Sequence, residues 1–209
     1  MSGYYSNSRE DVLNIIPNSP KNVLELGCGE GTFGKLLKQK FNCEVTGIDI
    51  SERAIIQAKK NIDCVYKANI DKFDFSQLGK FDLIVANDCL EHLLNPWEVV
   101  ENLKDNLTEN GYFISSIPNI RHYYILNDLF KKGTWNYTDS GLLDKTHLRF
   151  FTKNKMISLF EDNKYIVDSI TPTNVAKVKN LHIIKVLLKL CCPDLFALQF
   201  VVVAKKSPA

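Results

Sequence analysis

Three glycines at alternate positions, Gly27, Gly29 and Gly31, follow the run Val23-Leu24-Glu25-Leu26 and lead into a helix-like segment. Glycine takes up positive φ at little steric cost and lets a ligand approach the main chain closely. A helix N-terminus just beyond it offers unpaired N–H groups and the positive end of a dipole. A second short apolar run, Val45-Thr46-Gly47-Ile48, ends in Asp49. Nucleotide-binding α/β folds place an acid there, roughly 20 residues past the glycines, to receive ribose hydroxyls. A carboxylate has two acceptor oxygens, which suits a diol. Further along, Asp144, His147 and Arg149 fall within six residues of one another, among Leu148, Phe150 and Phe151. Packing accounts for the apolar members of that stretch and not readily for the polar ones. They suit proton transfer or substrate binding, with His147 a base or a substrate ligand oriented by Asp144. Arg149 then fixes the loop or a substrate anion. A salt-bridged, capped loop that closes a site is the alternative.

The elements that must position these residues alternate between strand and helix signals, which argues for an α/β fold with helices on both faces of a parallel sheet. The pattern predicts strands over 23–26, 44–48, 64–67, 81–86, 111–117, 165–170 and 196–203. It predicts helices over 32–40, 51–61, 96–106 and 152–161, and a helix end over 11–16 stopped by Pro17. Thr32, Ser51 and Thr152 are the expected N-caps. The alternation breaks at an aromatic-rich insert over 119–151. The segment 181–190 reads as a short apolar helix packed on the domain, with a membrane-surface or partner-binding face as the alternative. No repeat, low-complexity stretch or linker divides the chain, so a single domain over 1–209 is expected.

The spacing of the glycines discriminates between nucleotides. A dinucleotide turn has G-x-G-x-x-G, and its third glycine would fall at position 32, which is Thr32. Glu25-x-Gly27-x-Gly29-x-Gly31 instead resembles the E/D-x-G-x-G-x-G loop of class I S-adenosylmethionine-dependent methyltransferases. Gly141 to Thr152 resembles a G-x-L-D-x-T-H-x-R-F-F-T block found in the type 11/12/23 group of those enzymes. The resemblance covers most of the chain, residues 4–165.

What the resemblance implies is specific. The fold is a Rossmann-like, doubly wound, seven-stranded sheet, mostly parallel, with an antiparallel final strand pair at one edge. The cofactor is S-adenosylmethionine and the product S-adenosylhomocysteine. Glu25 and the loop Gly27-Cys28-Gly29-x-Gly31 pass under the methionine part. Asp49 holds the ribose and Ile50 packs on the adenine. Asn69, with the N–H of Ile70, meets the adenine edge where the family often has an acid, and Asp71 competes for that place. Asn87 and Asp88 border the methionine end. Arg9 meets the methionine carboxylate, or is solvated, and Tyr4 or Tyr5 lids the cofactor. Glu91-His92-Leu93 matches an E-H-L/V triplet, which makes His92 either catalytic or a structural helix-start histidine. His122 and Tyr123 belong to the pocket wall, and Trp135 with Tyr137 stacks on the acceptor or joins the core.

The expected reaction is methyl transfer to a small-molecule or glycan acceptor, at oxygen in preference to nitrogen or carbon. A non-catalytic SAM-fold binding module is the alternative, and a nicotinamide-dependent reductase is disfavoured by Thr32. No N/D-P-P-Y/F follows the fourth strand, which counts against modification of nucleic-acid bases. The net charge of +2 is too small to imply a nucleic-acid partner. The six cysteines show neither disulfide nor C-x-x-C spacing, and with no apolar leader the chain reads as cytoplasmic. No apolar run reaches membrane-spanning length. No metal is expected, because no His/Cys/Asp spacing matches a ligand set. The apolar C-terminal segment could serve a homodimer contact.

Overall fold

The computed structural model describes residues 9–175 and 191–207. Tyr4, Tyr5 and the helix expected over 181–190 lie outside the described residues. Seven strands form one sheet: β1 (Asn22–Leu26), β2 (Glu44–Asp49), β3 (Cys64–Lys67), β4 (Phe81–Asn87), β5 (Leu107–Pro118), β6 (Tyr165–Val175) and β7 (Ala197–Lys206). Their order is β3-β2-β1-β4-β5-β7-β6. All neighbours pair in parallel except β7, which runs antiparallel to both β5 and β6. This is the Rossmann-like, mostly parallel sheet with an antiparallel final pair that the resemblance implies.

The helices are α1 (Glu10–Leu13), α2 (Thr32–Phe41), α3 (Glu52–Asn61), α4 (Pro96–Leu103), α5 (Tyr123–Lys132) and α6 (Lys153–Glu161). Central strands of parallel sheets are buried on both faces and read as continuous apolar runs. Leu83-Ile84-Val85-Ala86 of β4 does so and is fully buried. Successive side chains of a strand point to opposite faces, so the sheet separates two cores. Leu24, Leu26 and Ile84 pack with α4 and α6, while Val23, Val45 and Val85 pack with α2 and α3.

Ser51 and Thr152 cap as expected, their hydroxyls accepting from the N–H groups of Ala54 and Lys155. Thr32 does not. Gly31, in the left-handed region at φ 73°, is the N-cap, and Thr32 is the first helical residue. The helix expected over 96–106 ends at Leu103 and tightens into a 3-10 turn, Lys104–Asn106. Its buried face carries Pro96, Val99, Val100 and Leu103, with Trp97 only half-buried.

Two features of the topology place the site. The chain runs outward from β1 through β2 to β3, then returns to add β4 on the other side of β1. Ligands of open α/β sheets bind beyond the strand C-termini at such a reversal. The insert is closed at its base, where Asn119 and Phe151 form a bridge. Asn119 is fully buried, and its Nδ2 donates to the carbonyls of Asp194 (2.8 Å) and Ala197 (2.9 Å).

Candidate active site

The turn after β1 is built from left-handed backbone at Gly27, Gly29 and Gly31 (φ 66°, 53° and 73°). At Gly31 a side chain would also be crowded, since a Cβ would lie 3.1 Å from Cα of Ala58 in α3. The turn is tied to β2 by the N–H groups of Gly27 and Cys28, both donating to the Ile48 carbonyl. Asp49 completes the tie. One of its oxygens accepts the Gly29 N–H at 2.8 Å and the other the Ser51 N–H at 2.7 Å. Each oxygen keeps a second lone pair. Beside it Ile50 is 67% exposed at the mouth of the crevice. The Cys28 side chain is buried beneath the turn against Gly47, so it offers a ligand only main chain. Glu25 is buried under the same turn with Oε2 unpaired, and burial pushes its pKa up to about 8.

After β3, Asn69 Oδ1 accepts the Asp71 N–H and opens a 3-10 turn, Ile70–Lys72. The two candidates here separate cleanly. Both oxygens of Asp71 accept main-chain N–H groups, from Leu94 and Asn95, so this acid pins the loop after β4.

At the end of β4 the Asn87 amide is buried with neither its oxygen nor its nitrogen hydrogen-bonded among the described residues. A buried amide without partners costs on the order of 1–3 kcal/mol. Asp88 follows in the left-handed region at φ 48°, a conformation that persists only where its surroundings hold it. They do: its carboxylate accepts from Arg9 Nη1 and from Gln199 Nε2. Arg9 is 6% exposed and also donates to Ser116 Oγ (2.6 Å) and to Asp11. A solvated Arg9 is therefore excluded. The guanidinium is built into the wall of the crevice and reaches Asp88.

The insert contributes the remaining wall. The N–H groups of Leu148 and Arg149 donate to the Glu91 carbonyl at 2.8 and 3.0 Å. That staple brings His147 against His92, with ring centroids 4.8 Å apart. His92 Nδ1 lies 3.1 Å from the Thr146 carbonyl and His147 Nδ1 lies 3.3 Å from the Leu142 carbonyl. A carbonyl only accepts, so each Nδ1 carries a proton. Burial and the neighbouring His92 hold the pKa of His147 below the ordinary histidine value. The Asp144 carboxylate makes no hydrogen bond to the His147 ring among the described residues; the two residues meet through the main chain, the His147 N–H donating to the Asp144 carbonyl at 3.0 Å. Asp144 Oδ1 accepts the N–H and hydroxyl of Thr146, an Asx turn that shapes the loop. Arg149 donates to the carbonyls of Leu94 and Leu148, which makes it a loop clamp.

Glu91, between the histidines and β4, was passed over in the sequence except as part of a triplet. It is 1% exposed with neither carboxylate oxygen hydrogen-bonded among the described residues. Burial and the nearby Asp88 push its pKa well above the usual carboxylate range. Trp135 packs edge-on against Phe150, and Tyr137 is exposed. His122 is fully buried against the rings of Tyr123 and Tyr124, and its Nδ1 accepts the Tyr124 N–H.

A doubly wound sheet with a glycine turn, a ribose-type acid and polar residues at its switch point defines a nucleoside-binding α/β protein of the methyltransferase class. A family model described as a methyltransferase domain, type 23, matches residues 3–169, and the chain belongs to that family. It is 29% identical over 136 residues to the ubiquinone biosynthesis O-methyltransferase of Glaesserella parasuis, covering 56% of this chain and 57% of that one. It is 36% identical over 134 residues to the ribosomal protein L11 methyltransferase of Lactobacillus johnsonii, covering 56% and 41%. The chain thus spans about half the length of these curated relatives. Among solved structures, a SAM-dependent methyltransferase from Archaeoglobus fulgidus superposes with a TM-score of 0.69 at 18% identity, covering 94% of this chain and 92% of that one.

Proposed function

We propose that the protein transfers the methyl group of S-adenosylmethionine to an oxygen of a small-molecule or glycan acceptor. The observation that carries this reading is the convergence, at the switch point, of the glycine turn, the two remaining lone-pair positions of Asp49 and the unpaired Asn87 amide. These groups fit the cofactor's parts. Asp49 suits the ribose diol, Ile50 an adenine face, Asn69 and the Ile70 N–H an adenine edge, and Asn87 the polar methionine end. Arg9 and Asp88 position that end.

S-adenosylmethionine, when bound, supplies a methyl group on a positively charged sulfur. The chain's own residues have three tasks: to hold acceptor and cofactor in line, to exclude water, and to manage the acceptor's hydroxyl proton. The insert, stapled through Glu91 to the turn that follows β4, forms a wall of the crevice. The imidazoles of His92 and His147 lie where that proton, or another positive charge, is received. Trp135, Phe150 and Tyr123 supply aromatic surface for a sugar or ring. Asp144 and Arg149 act at one remove, by fixing the loop that carries His147.

The test is incubation of the protein with S-adenosylmethionine and a panel of sugars, phenols, amines and peptides, read by mass spectrometry. A product heavier by one methylene among the hydroxyl acceptors supports the reading. Methylation confined to amines or peptides contradicts the oxygen acceptor. Cofactor binding without turnover on any acceptor favours the binding module instead.

A further inference from the structure

Three metal-ligand side chains meet at the insert wall although the sequence separates them. We infer that Glu91, His92 and His147 bind a divalent first-row transition-metal ion. Their ligand atoms all lie within 4.8 Å of one another. Metal bonds of about 2.0–2.2 Å bring adjacent ligands to about 3 Å, a contraction within reach of side-chain torsions.

Two independent observations point to an ion. Glu91 is buried with both oxygens unpaired, and a buried carboxylate is costly unless a cation or donors face it. Each imidazole also spends its Nδ1–H on a main-chain carbonyl, Thr146 for His92 and Leu142 for His147. That outer arrangement accompanies histidine ligation, because it fixes the orientation and tautomer of the ring. Arg9 is the cation facing Glu91, and Asp88 and Asp144 are the nearby acids, so two carboxylates beyond the cluster favour added positive charge. Two imidazoles and one carboxylate with open positions suit iron, cobalt, manganese or zinc better than magnesium or calcium.

Three protein ligands leave coordination positions for an acceptor oxygen. A hydroxyl bound there exchanges its O–H bond for a metal–oxygen bond and releases the proton to solvent water. His147 is then a ligand and not the base. This last step rests on the methyl-transfer reading, whereas ion binding does not.

The full chain, freed of metal with chelator, is titrated with cobalt(II) chloride and followed by visible d–d absorption and calorimetry. One ion per chain should bind saturably, at about 10 μM or tighter. Glu91→Gln and His147→Gln should each weaken binding at least about tenfold, or 1.4 kcal/mol, while His122→Gln binds as the unaltered protein does. The unaltered protein gives a second readout that needs no variant: diamagnetic zinc(II) should shift the ring-proton resonances of two of the chain's four histidines. No saturable binding, variants that bind normally, or shifts at none or all four histidines overturn the proposal. An S-adenosylmethionine titration in parallel separates the two readings. Cofactor binding without cobalt binding overturns only the metal site, and cobalt binding without cofactor binding overturns only methyl transfer.

Discussion

Glu25 sits on the face of β1 that packs against α2, where one oxygen has no hydrogen bond and desolvation raises its pKa from 4.5 to about 8. The sign of the consequence is fixed. Between those values the folded chain holds a proton that the unfolded chain has released, so stability falls as pH rises through the window and is lowest above it. Glu25→Gln should remove the slope. Urea unfolding across pH 5 to 8.5 should show the unaltered protein losing roughly 3 kcal/mol more than the variant. Parallel profiles would refute the raised pKa. The types of residue in this region were legible in the sequence, because the glycine turn and Asp49 are set by short-range chemistry. Their orientations were not. Nothing local says that Cys28 turns under the loop, that Asp71 is spent on Leu94 and Asn95, or that Arg9 is clamped to Asp88.

α2 and the insert illustrate what periodicity resolves and what it misses. Helix propensity favours alanine over glycine by about 1 kcal/mol in a helix interior, yet Gly34 of α2 has no room for a Cβ. That atom would lie 2.5 Å from Cγ2 of Ile62 and 2.9 Å from Oε2 of Glu25. Gly34→Ala should therefore lower stability by about 1–3 kcal/mol, measured by denaturant midpoint, and a stabilised variant would contradict the packing. Strand and helix types were legible because their apolar periods are strong. The start of α2 at Thr32 was read correctly, but its N-cap was assigned to Thr32 and is Gly31, because a left-handed glycine can cap through its main chain where sequence reading looks for a hydroxyl. The histidine pair was illegible as a unit. His92 meets the Thr146 carbonyl across 54 residues, and only the staple of Leu148 and Arg149 onto Glu91 makes that contact.

At the scale of the whole molecule, the sheet holds the cofactor crevice and the insert supplies its other wall, joined through Asn119. Asn119→Ala leaves the part-buried Asp194 carbonyl and the buried Ala197 carbonyl without this donor and should cost about 1–3 kcal/mol. Amide hydrogen exchange should rise across 119–151 more than in β1 or β4. Uniform exchange would show that the insert is not anchored there. The seven-stranded order could be anticipated from strand alternation and family resemblance together, and the depth of the insert's attachment could not, since it depends on contacts with β7. The central claim is that the switch point is a S-adenosylmethionine site centred on Asp49. Calorimetric titration of the protein and of Asp49→Ala with S-adenosylmethionine and S-adenosylhomocysteine tests it most directly. Saturable binding of both by the unaltered protein, weakened about tenfold or more by the substitution, about 1.4 kcal/mol, is the predicted result. A folded protein that binds neither, or an Asp49→Ala variant that binds both as tightly, contradicts it.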